Sequence, residues 1–545
     1  MCECGRDLRL WVALLCVFGS GIGCGTTDVQ RKPELEALAE SLDEIEMVRL
    51  EEQSRSEPVS VEEAQAESAE QAAEPNKAEP IVELTLDEAR AAALSNNLDL
   101  KIQLVDPSIA QRSLDQERAK FEWVFFGSAQ HRESMPEDAD SASTSSYVVG
   151  VDAPLPTGGL LTVDAPFSRM DSDDPAIEGV SDAAVSVSVI QSLLRGAGTR
   201  VNTSSILIAT YSKDSIDAAT KLDAINILGN VDVAYWLLFA ARKRLDVTRE
   251  QYKLAQDQLE HARLKVAAGA APKIEIVSAE AGLASRLGNV ISAETSVRDR
   301  DRDLKRIMNR EDMPLKSHTG IITTTEPNPL GLNLDAEALV AAALENRMDM
   351  VRLRFELAIN DIEIELAQND TLPQLDLSYT YGAGGLAGGT GEAFESIFDD
   401  ASEDHAVGLT ARIPLGNRVA RAALQRARLA KMRSELSRER LEQGIRQEVY
   451  EAVDALRQNW RRILAAEQDV AAAYRDYQVE QSQFQLGVRR STDVLLAASR
   501  LAIAQLGRIS AFVNYEISQV GLARATGTLL GRGQVRLTPL VLEGR

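Results

Sequence analysis

The spacing of apolar positions switches between a helical and a strand period in the same order twice along the chain. From Leu84 to about Lys120 the pattern is helical, opened by Leu86-Asp87-Glu88-Ala89 with its acids in the first turn. Residues 121–192 alternate instead. Trp123-Val124-Phe125-Phe126, Tyr147-Val148-Val149, Leu160-Leu161-Thr162-Val163 and Val185-Ser186-Val187-Ser188-Val189 read as strands, punctuated by Pro156-Thr157-Gly158-Gly159 and by Asp171–Pro175. A helical tract then extends from about Thr203 to Val266, and at 1.5 Å per residue its roughly 60 residues span about 90 Å. A turn at Ala267–Pro272 leads into a second helix that ends near Met308. The order then recurs: a helix over 335–368, strands at Leu375–Tyr381 and Val407–Ile413 with a Gly-rich and acidic loop over 382–404 between them, and long helices over 417–485 and 491–528.

The recurrence is visible in residues as well as in period. Ala92-Ala93-Leu94-Ser95-Asn96-Asn97-Leu98-Asp99-Leu100 returns 250 positions later as Ala342-Ala343-Leu344-Glu345-Asn346-Arg347-Met348-Asp349-Met350. Repeat units of solenoids are about 20–50 residues, so a period this long marks a duplicated half-structure. The expected organisation is residues 1–23 as a signal peptide, 24–80 as an acidic tether, 81–311 as the first repeat, 312–333 as a Pro-rich linker, 334–531 as the second repeat and 532–545 as a tail. Helices of 60 residues do not fit a compact domain; they fit an antiparallel coiled-coil assembly.

Composition narrows the function. The net charge of −24 argues against nucleic acid as a partner, which wants a basic footprint. Only 5% of residues are aromatic, as suits long helices packed by small and aliphatic side chains. All four cysteines (Cys2, Cys4, Cys16 and Cys24) lie at the amino terminus, which points to processing rather than to redox chemistry. Arg6 and Arg9, the apolar run Leu10–Val17 and Gly21-Ile22-Gly23-Cys24 look like a bacterial lipoprotein signal, cleaved so that Cys24 carries lipid. An ordinary secretory signal cut nearby is the alternative; either implies export. His131, His261, His318 and His405 share no ligand spacing, so no metal and no cofactor is expected. The Gly382–Gly391 run has no flanking βαβ unit or Lys-Ser/Thr helix start, so it reads as a loop and not as a phosphate cradle. No catalytic constellation emerges, and the expectation is that the protein is not an enzyme.

Four segments together resemble the TolC-like outer-membrane efflux proteins. They are the duplicated opening motif, Gln191–Gly198, Gly408-Leu409-Thr410-Ala411-Arg412-Ile413-Pro414-Leu415-Gly416-Asn417-Arg418, and two helix–helix turns in which Gly269 and Gly487 precede Glu275 and Asp493 by six residues. The resemblance spans about residues 84–530. Ser192 stands where the family usually has the proline that the second copy keeps as Pro414. The resemblance implies an α+β membrane channel with an internal two-fold structural repeat. Long helices would form an α-barrel, and four strands per protomer would complete a 12-stranded β-barrel shared by a homotrimer. It further implies an outer-membrane location with the helices in the periplasm, and passive conduction for a tripartite efflux or type I secretion system. Its partners would be a periplasmic adaptor, an inner-membrane pump and outer-membrane lipid. A lipid-anchored periplasmic coiled coil without a pore is the rival reading, and strands at matching positions in the two halves discriminate against it.

The same resemblance assigns candidate residues. Arg489 and Asp493, with Glu275, fall where a periplasmic gate belongs; a solvated charge cluster at a helix start is the plainer reading. Val266, Gly269, Phe484 and Gly487 fall at helical tips that would dock an adaptor; a helix C-cap explains the glycines equally well. Trp123, Phe125 and Phe126 are candidates for a membrane-interface girdle. Tyr235-Trp236 in mid-helix reads as core packing. Residues 140–180 exceed what two strands need, and they would either lengthen the external loop or add strands to the barrel.

Overall fold

The computed structural model describes residues 80–134, 142–172, 179–399, 401–486 and 488–532, which belong to one compact unit, Glu74–Arg545. The signal sequence, Cys24, the tether up to residue 79, Gly487 and the tail from residue 533 lie outside the described residues. In chain order the elements are β1 (Ile81–Leu84), α1 (Leu86–Asn96), α2 (Leu98–Gln103), α3 (Asp106–Ala119), β2 (Val124–Ser134), β3 (Ala142–Leu155), β4 (Gly159–Ser172), β5 (Val180–Ser192), α4 (Thr199–Asn202), α5 (Ser204–Ala267) and α6 (Ile274–Met308). They continue with β6 (Gly320–Thr323), α7 (Ala336–Asn346), α8 (Met348–Asn369), β7 (Gln374–Ala387), α9 (Thr390–Asp399), β8 (Ser402–Arg412), α10 (Arg418–Gln485), α11 (Ser491–Ala525) and α12 (Leu529–Arg532).

The two repeats start alike and are locked differently. Thr85 caps α1: its hydroxyl accepts from the Glu88 N–H at 3.2 Å while the Glu88 carboxylate accepts from the Thr85 N–H at 2.9 Å. In the second copy Asp335 caps α7 by accepting from the Glu337 N–H at 3.0 Å. The next turn of α1 presents Arg90, whose guanidinium meets the carboxylate of Asp232 on α5 through two bonds of 2.7 Å. The position equivalent to Arg90 in the second copy is Val340, and it packs in an apolar cluster with Ile445, Val449 and Val453 of α10. One copy therefore closes this contact with an ion pair and the other with hydrocarbon.

The long helices pack side by side. At about 1.5 Å per residue, the 64 residues of α5 and the 68 of α10 each run roughly 100 Å. Nearer the sheet, α3 packs on α5, and α8 packs on both α5 and α10; toward the far end α5 and α10 pack with their own hairpin partners, α6 and α11, and α5 also touches α11. The apolar stretch around Tyr235-Trp236 is buried at these seams, as the mid-helix aromatics led us to expect. Tyr235 also ties the middle of α5 to the inter-repeat segment. Its hydroxyl donates to the Leu84 carbonyl and accepts from the Thr325 N–H, each at 2.9 Å. This fixes a small parallel sheet of β1 and β6. The linker over 312–333 is thus not simply a connector: β6 lies in it, and Asp301 of α6 accepts the Ile321 N–H at 2.9 Å.

The large sheet corrects the expected strand count. It has six strands in the order β2-β3-β4-β5-β7-β8, all antiparallel, where four were expected. The added pair is β3–β4, the segment whose role the sequence left open. Its backbone is paired on both sides, which removes the unpaired edges that a hairpin projecting from the sheet would carry. Two strands are also the smallest insertion that keeps β2 and β5 antiparallel to their neighbours. The Gly-rich stretch departs from its expected role as well. Residues 382–387 continue β7, because Gly384 lies close against Ala184, and Gly385 lies so close to Ser396 that a Cβ would collide with it. Within the acidic 392–404 loop, α9 folds back over β5 and β7, and β8 begins at Ser402.

Candidate functional site

Strand pleating sorts the sheet into two unlike faces, since residues paired across strands share a face. One face carries Val149 and Val151, Leu161 and Val163, Val185, Val187 and Val189, Leu377 and Tyr379, and Val407 and Leu409. The opposite face carries Thr162 and Asp152, joined by a 2.6 Å hydrogen bond, Asp164 accepting from Ser186 at 2.5 Å, and Ser188 beside Thr380 at 3.2 Å. Asp376, Thr410 and Arg412 continue it. Polar groups thus have partners along one side, while on the other, among the described residues, Val149, Val163, Val185, Tyr379, Val407 and Leu409 are exposed hydrocarbon.

The register keeps the apolar sets of the six strands in line: the rung through Phe125 runs by Val151, Val163, Val187 and Tyr381 to His405.

The first-strand aromatics divide between the faces. Trp123 and Phe125 are 77% and 74% exposed at the helix-side end of β2, and Phe125 stands on the apolar face. Phe126 does not join them. The pleat turns it to the polar face, where its ring packs where a Cβ on Gly150 would lie. At the other end of the sheet, Phe167 stacks on Tyr147 at 6.2 Å and on Phe394 of α9 at 5.4 Å. On β7 and β8, Tyr381, on the rung of Phe125, and Tyr379 pack on His405, and the Tyr379 hydroxyl lies 3.0 Å from His405 Nδ1.

At the far end of the helices the two hairpins close with the same turn. The Ala270 N–H reaches the Lys265 carbonyl at 2.8 Å, and the Val488 N–H reaches the Gln483 carbonyl at 2.9 Å. Each bond satisfies a carbonyl in the last turn of a helix that would otherwise be orphaned, and the first needs Gly269 at φ +72°. The hairpin tips touch: Lys265 lies 3.8 Å from the ring centre of Phe484. Arg489 donates to Gln483 Oε1 at 3.1 Å and lies 3.4 Å from Glu480, an acid of the preceding helix in its own hairpin. Asp493 accepts the Arg490 N–H at 3.1 Å and so caps α11. Glu275 sits half-buried in the first turn of α6. Among the described residues the structure brings Phe484 against the α5 tip and gathers Arg489 with α10. It leaves Asp493 and Glu275 on separate helix starts.

A family model described as outer membrane efflux protein matches residues 339–528. The outer membrane protein TolC of Vibrio cholerae is 23% identical over 319 residues, covering 58% of this chain and 70% of that protein. Among solved structures, a membrane protein from Pseudomonas aeruginosa aligns with TM-score 0.63 and 19% identity over 81% of this chain and 93% of that one. The Campylobacter jejuni CmeC outer membrane channel aligns with TM-score 0.61 and 16% identity, covering 81% and 85%. At family level, the chain is similar to the TolC-type outer membrane efflux proteins. It has the TolC-type fold, with a sheet at one end of a bundle of long paired helices.

Within that fold, the aromatic stack of Tyr147, Phe167 and Phe394 escaped the sequence. These residues lie up to about 250 positions apart, and only the register and the fold-back of α9 bring them together. The odd-numbered alternation of Tyr147 and Phe167 with the valines was the available signal. The Lys265–Phe484 contact between TolC-type tips had none, because nothing in either segment says which hairpin neighbours which.

Proposed function

We propose that this protein is a passive outer-membrane channel of a tripartite efflux or secretion assembly. The observation that carries the reading is the sheet itself: one face apolar, one face polar, at the end of helices roughly 100 Å long. In lipid such a sheet must close, because free edges would leave backbone groups unpaired. In a homotrimer, β8 of one protomer would pair with β2 of the next; both are 11 residues long and they run antiparallel. Lipid on Cys24, where processing leaves it at the mature terminus, would add a second attachment to the membrane.

The helices then extend into the periplasm, and the tips meet an adaptor joined to an inner-membrane pump. Val266, Gly269, Phe484 and Gly487 form the docking turns. Arg489 holds the second hairpin through Glu480 and Gln483, and Asp493 and Glu275 supply negative charge near the axis. Arg489 is half-exposed while Glu480 is largely buried, so a docking partner can reach the arginine and compete for the contact. The polar face with Asp152, Asp164, Asp376 and Arg412 would line a wet lumen.

Reconstitution of the purified protein in planar bilayers tests the reading. Discrete single-channel steps are expected, and Arg489→Ala should raise the conductance of the resting channel. Absence of any conductance from a membrane-inserted protein would overturn the channel. Unchanged conductance and cation block in both Arg489→Ala and Asp493→Ala would overturn the gate alone.

A further inference from the structure

The six-stranded sheet has a consequence for the width of the exit. We propose that the barrel in the membrane is 18-stranded, six strands from each of three protomers, and that it is a wide aqueous vestibule rather than a constriction. The inference rests on the trimeric channel proposed above and goes beyond it.

The β3–β4 hairpin is part of the wall. Rungs join β2 to β3 from Val124–Asp152 to Ser134–Ala142, and β3 to β4 from Ala142–Ser172 to Leu155–Gly159. The hairpin also obeys the two-faced rule of the sheet. Val149, Val151, Leu161 and Val163 stand on the apolar face, and Asp152, Thr162 and Asp164 stand on the polar one. Its turn lies at the helix end of the sheet and is bonded there. The Thr157 carbonyl accepts from the Gly198 N–H and from Gln191 Nε2, both at 2.9 Å. Gly158, at φ +87°, presses against the Gly196 carbonyl too closely for any Cβ. The hairpin therefore returns at the level where β5 leaves the sheet for the helices. It adds two strands to the wall without adding a helix beneath them.

Barrel radius follows from strand number and tilt. At about 4.8 Å per strand and a tilt of about 40°, twelve strands give a backbone radius of roughly 12 Å and eighteen give roughly 18 Å. The helices supply an independent check. Each protomer has four helices abreast at either level: α3, α5, α8 and α10 near the sheet, and α6, α5, α11 and α10 toward the tips. Twelve helices at about 8–10 Å spacing make a ring of roughly 15–19 Å radius. Eighteen strands at a tilt of about 40° fall within that range. Barrels of 16–18 strands leave an aqueous channel. With about 5 Å of side chain on the polar face, the opening has a radius of roughly 13 Å, wide enough for folded small domains or polypeptide hairpins. Selection by size then falls to the helical tips.

Electron cryomicroscopy of the full-length protein in lipid nanodiscs, with the strands in the membrane section counted, tests this. Eighteen strands in a three-fold particle is the expected result. A three-fold, conducting particle with twelve strands and the β3–β4 hairpin outside the wall would overturn the wide barrel and leave the channel intact. A particle with no three-fold closure and no conductance would overturn both. A second measurement uses polyethylene glycols added to the outer side of the reconstituted channel. Deleting residues 142–172 should lower the largest polymer radius that enters the vestibule by about half, toward the roughly 7 Å expected for twelve strands. An unchanged cut-off in a folded, conducting deletion variant counts against the proposal. If the variant does not fold, the strand count of the unaltered protein still decides.

Discussion

Replacing the Arg90–Asp232 pair tests how the two repeats came to differ. Asp232 is fully buried and both of its oxygens are taken by Arg90, whose side chain is 13% exposed. Removing one partner of a buried pair leaves an uncompensated charge and costs about 3–5 kcal/mol. Arg90→Met strands the buried carboxylate and should fall at the upper end. Asp232→Leu should fall near 3 kcal/mol, because the guanidinium keeps its 3.0 Å contact with exposed Asp87. The double variant, Arg90→Met with Asp232→Leu, imitates the apolar seam that the second copy builds from Val340, Ile445, Val449 and Val453. It should return to within about 1 kcal/mol of the parent or exceed it, since hydrocarbon of similar volume often replaces a buried pair without loss. The assay is thermal unfolding of the detergent-solubilised full-length protein, followed by circular dichroism at 222 nm for the parent, both singles and the double. The expected order is both singles well below the parent and the double near it, a large coupling in the double-mutant cycle. If the double melts as low as the worse single, or if neither single shifts the transition, the reasoning about this seam is wrong.

Three further outcomes are expected. Val407→Arg on the apolar face should destabilise the membrane-inserted protein by about 2–4 kcal/mol, whereas Thr410→Arg on the polar face should not; the heat resistance of the assembled form on gels reads the contrast. Gly385→Val should expel α9 from the sheet, because Ser396 occupies the space of its Cβ, and protease cleavage between residues 388 and 401 should then speed up with β8 still protected. The third concerns pH. The Thr85 backbone N–H, and then its hydroxyl, hold the Glu88 carboxyl below its ordinary value of 4.5. A folded pKa below the unfolded one stabilises fully above the unfolded value, and the contribution is lost as pH falls through the folded value. Acidification below about pH 4.5 should therefore weaken the α1 cap, and Glu88→Gln should remove that part of the pH dependence of the transition midpoint.

Much of the fold was legible because its signals are local. The helical period over 203–308 and 417–528 needed no tertiary information, since each helix satisfies its own backbone bonds and shows one apolar stripe. The duplicated Ala92–Leu100 and Ala342–Met350 segments fixed the two-part plan. The Val-Ser alternation of 185–189 marked a strand with unlike faces. The tip turns were legible for the same reason: Gly269 ends a helix in a conformation that glycine favours, whatever lies around it.

The rest depends on which segments meet. Sequence could not place residues 140–180, because a hairpin outside a sheet and one inside it share the same alternation; only pairing with β2 and β5 made six strands of an expected four. The Gly382–Ala387 run looks like a loop until Ala184 and Ser396 fill the space beside it. Phe125 and Phe126 look equivalent until the pleat sends them to opposite faces. Arg90 and Val340 hold equivalent places, yet what each touches is set by a helix far along the chain. The sequence by itself determined the repeating order of helix and strand, through periods that each segment carries alone. The tertiary structure decided the number of strands, the face each residue occupies and the partners at the tips, because register and long-range contact belong to pairs of segments and not to either one.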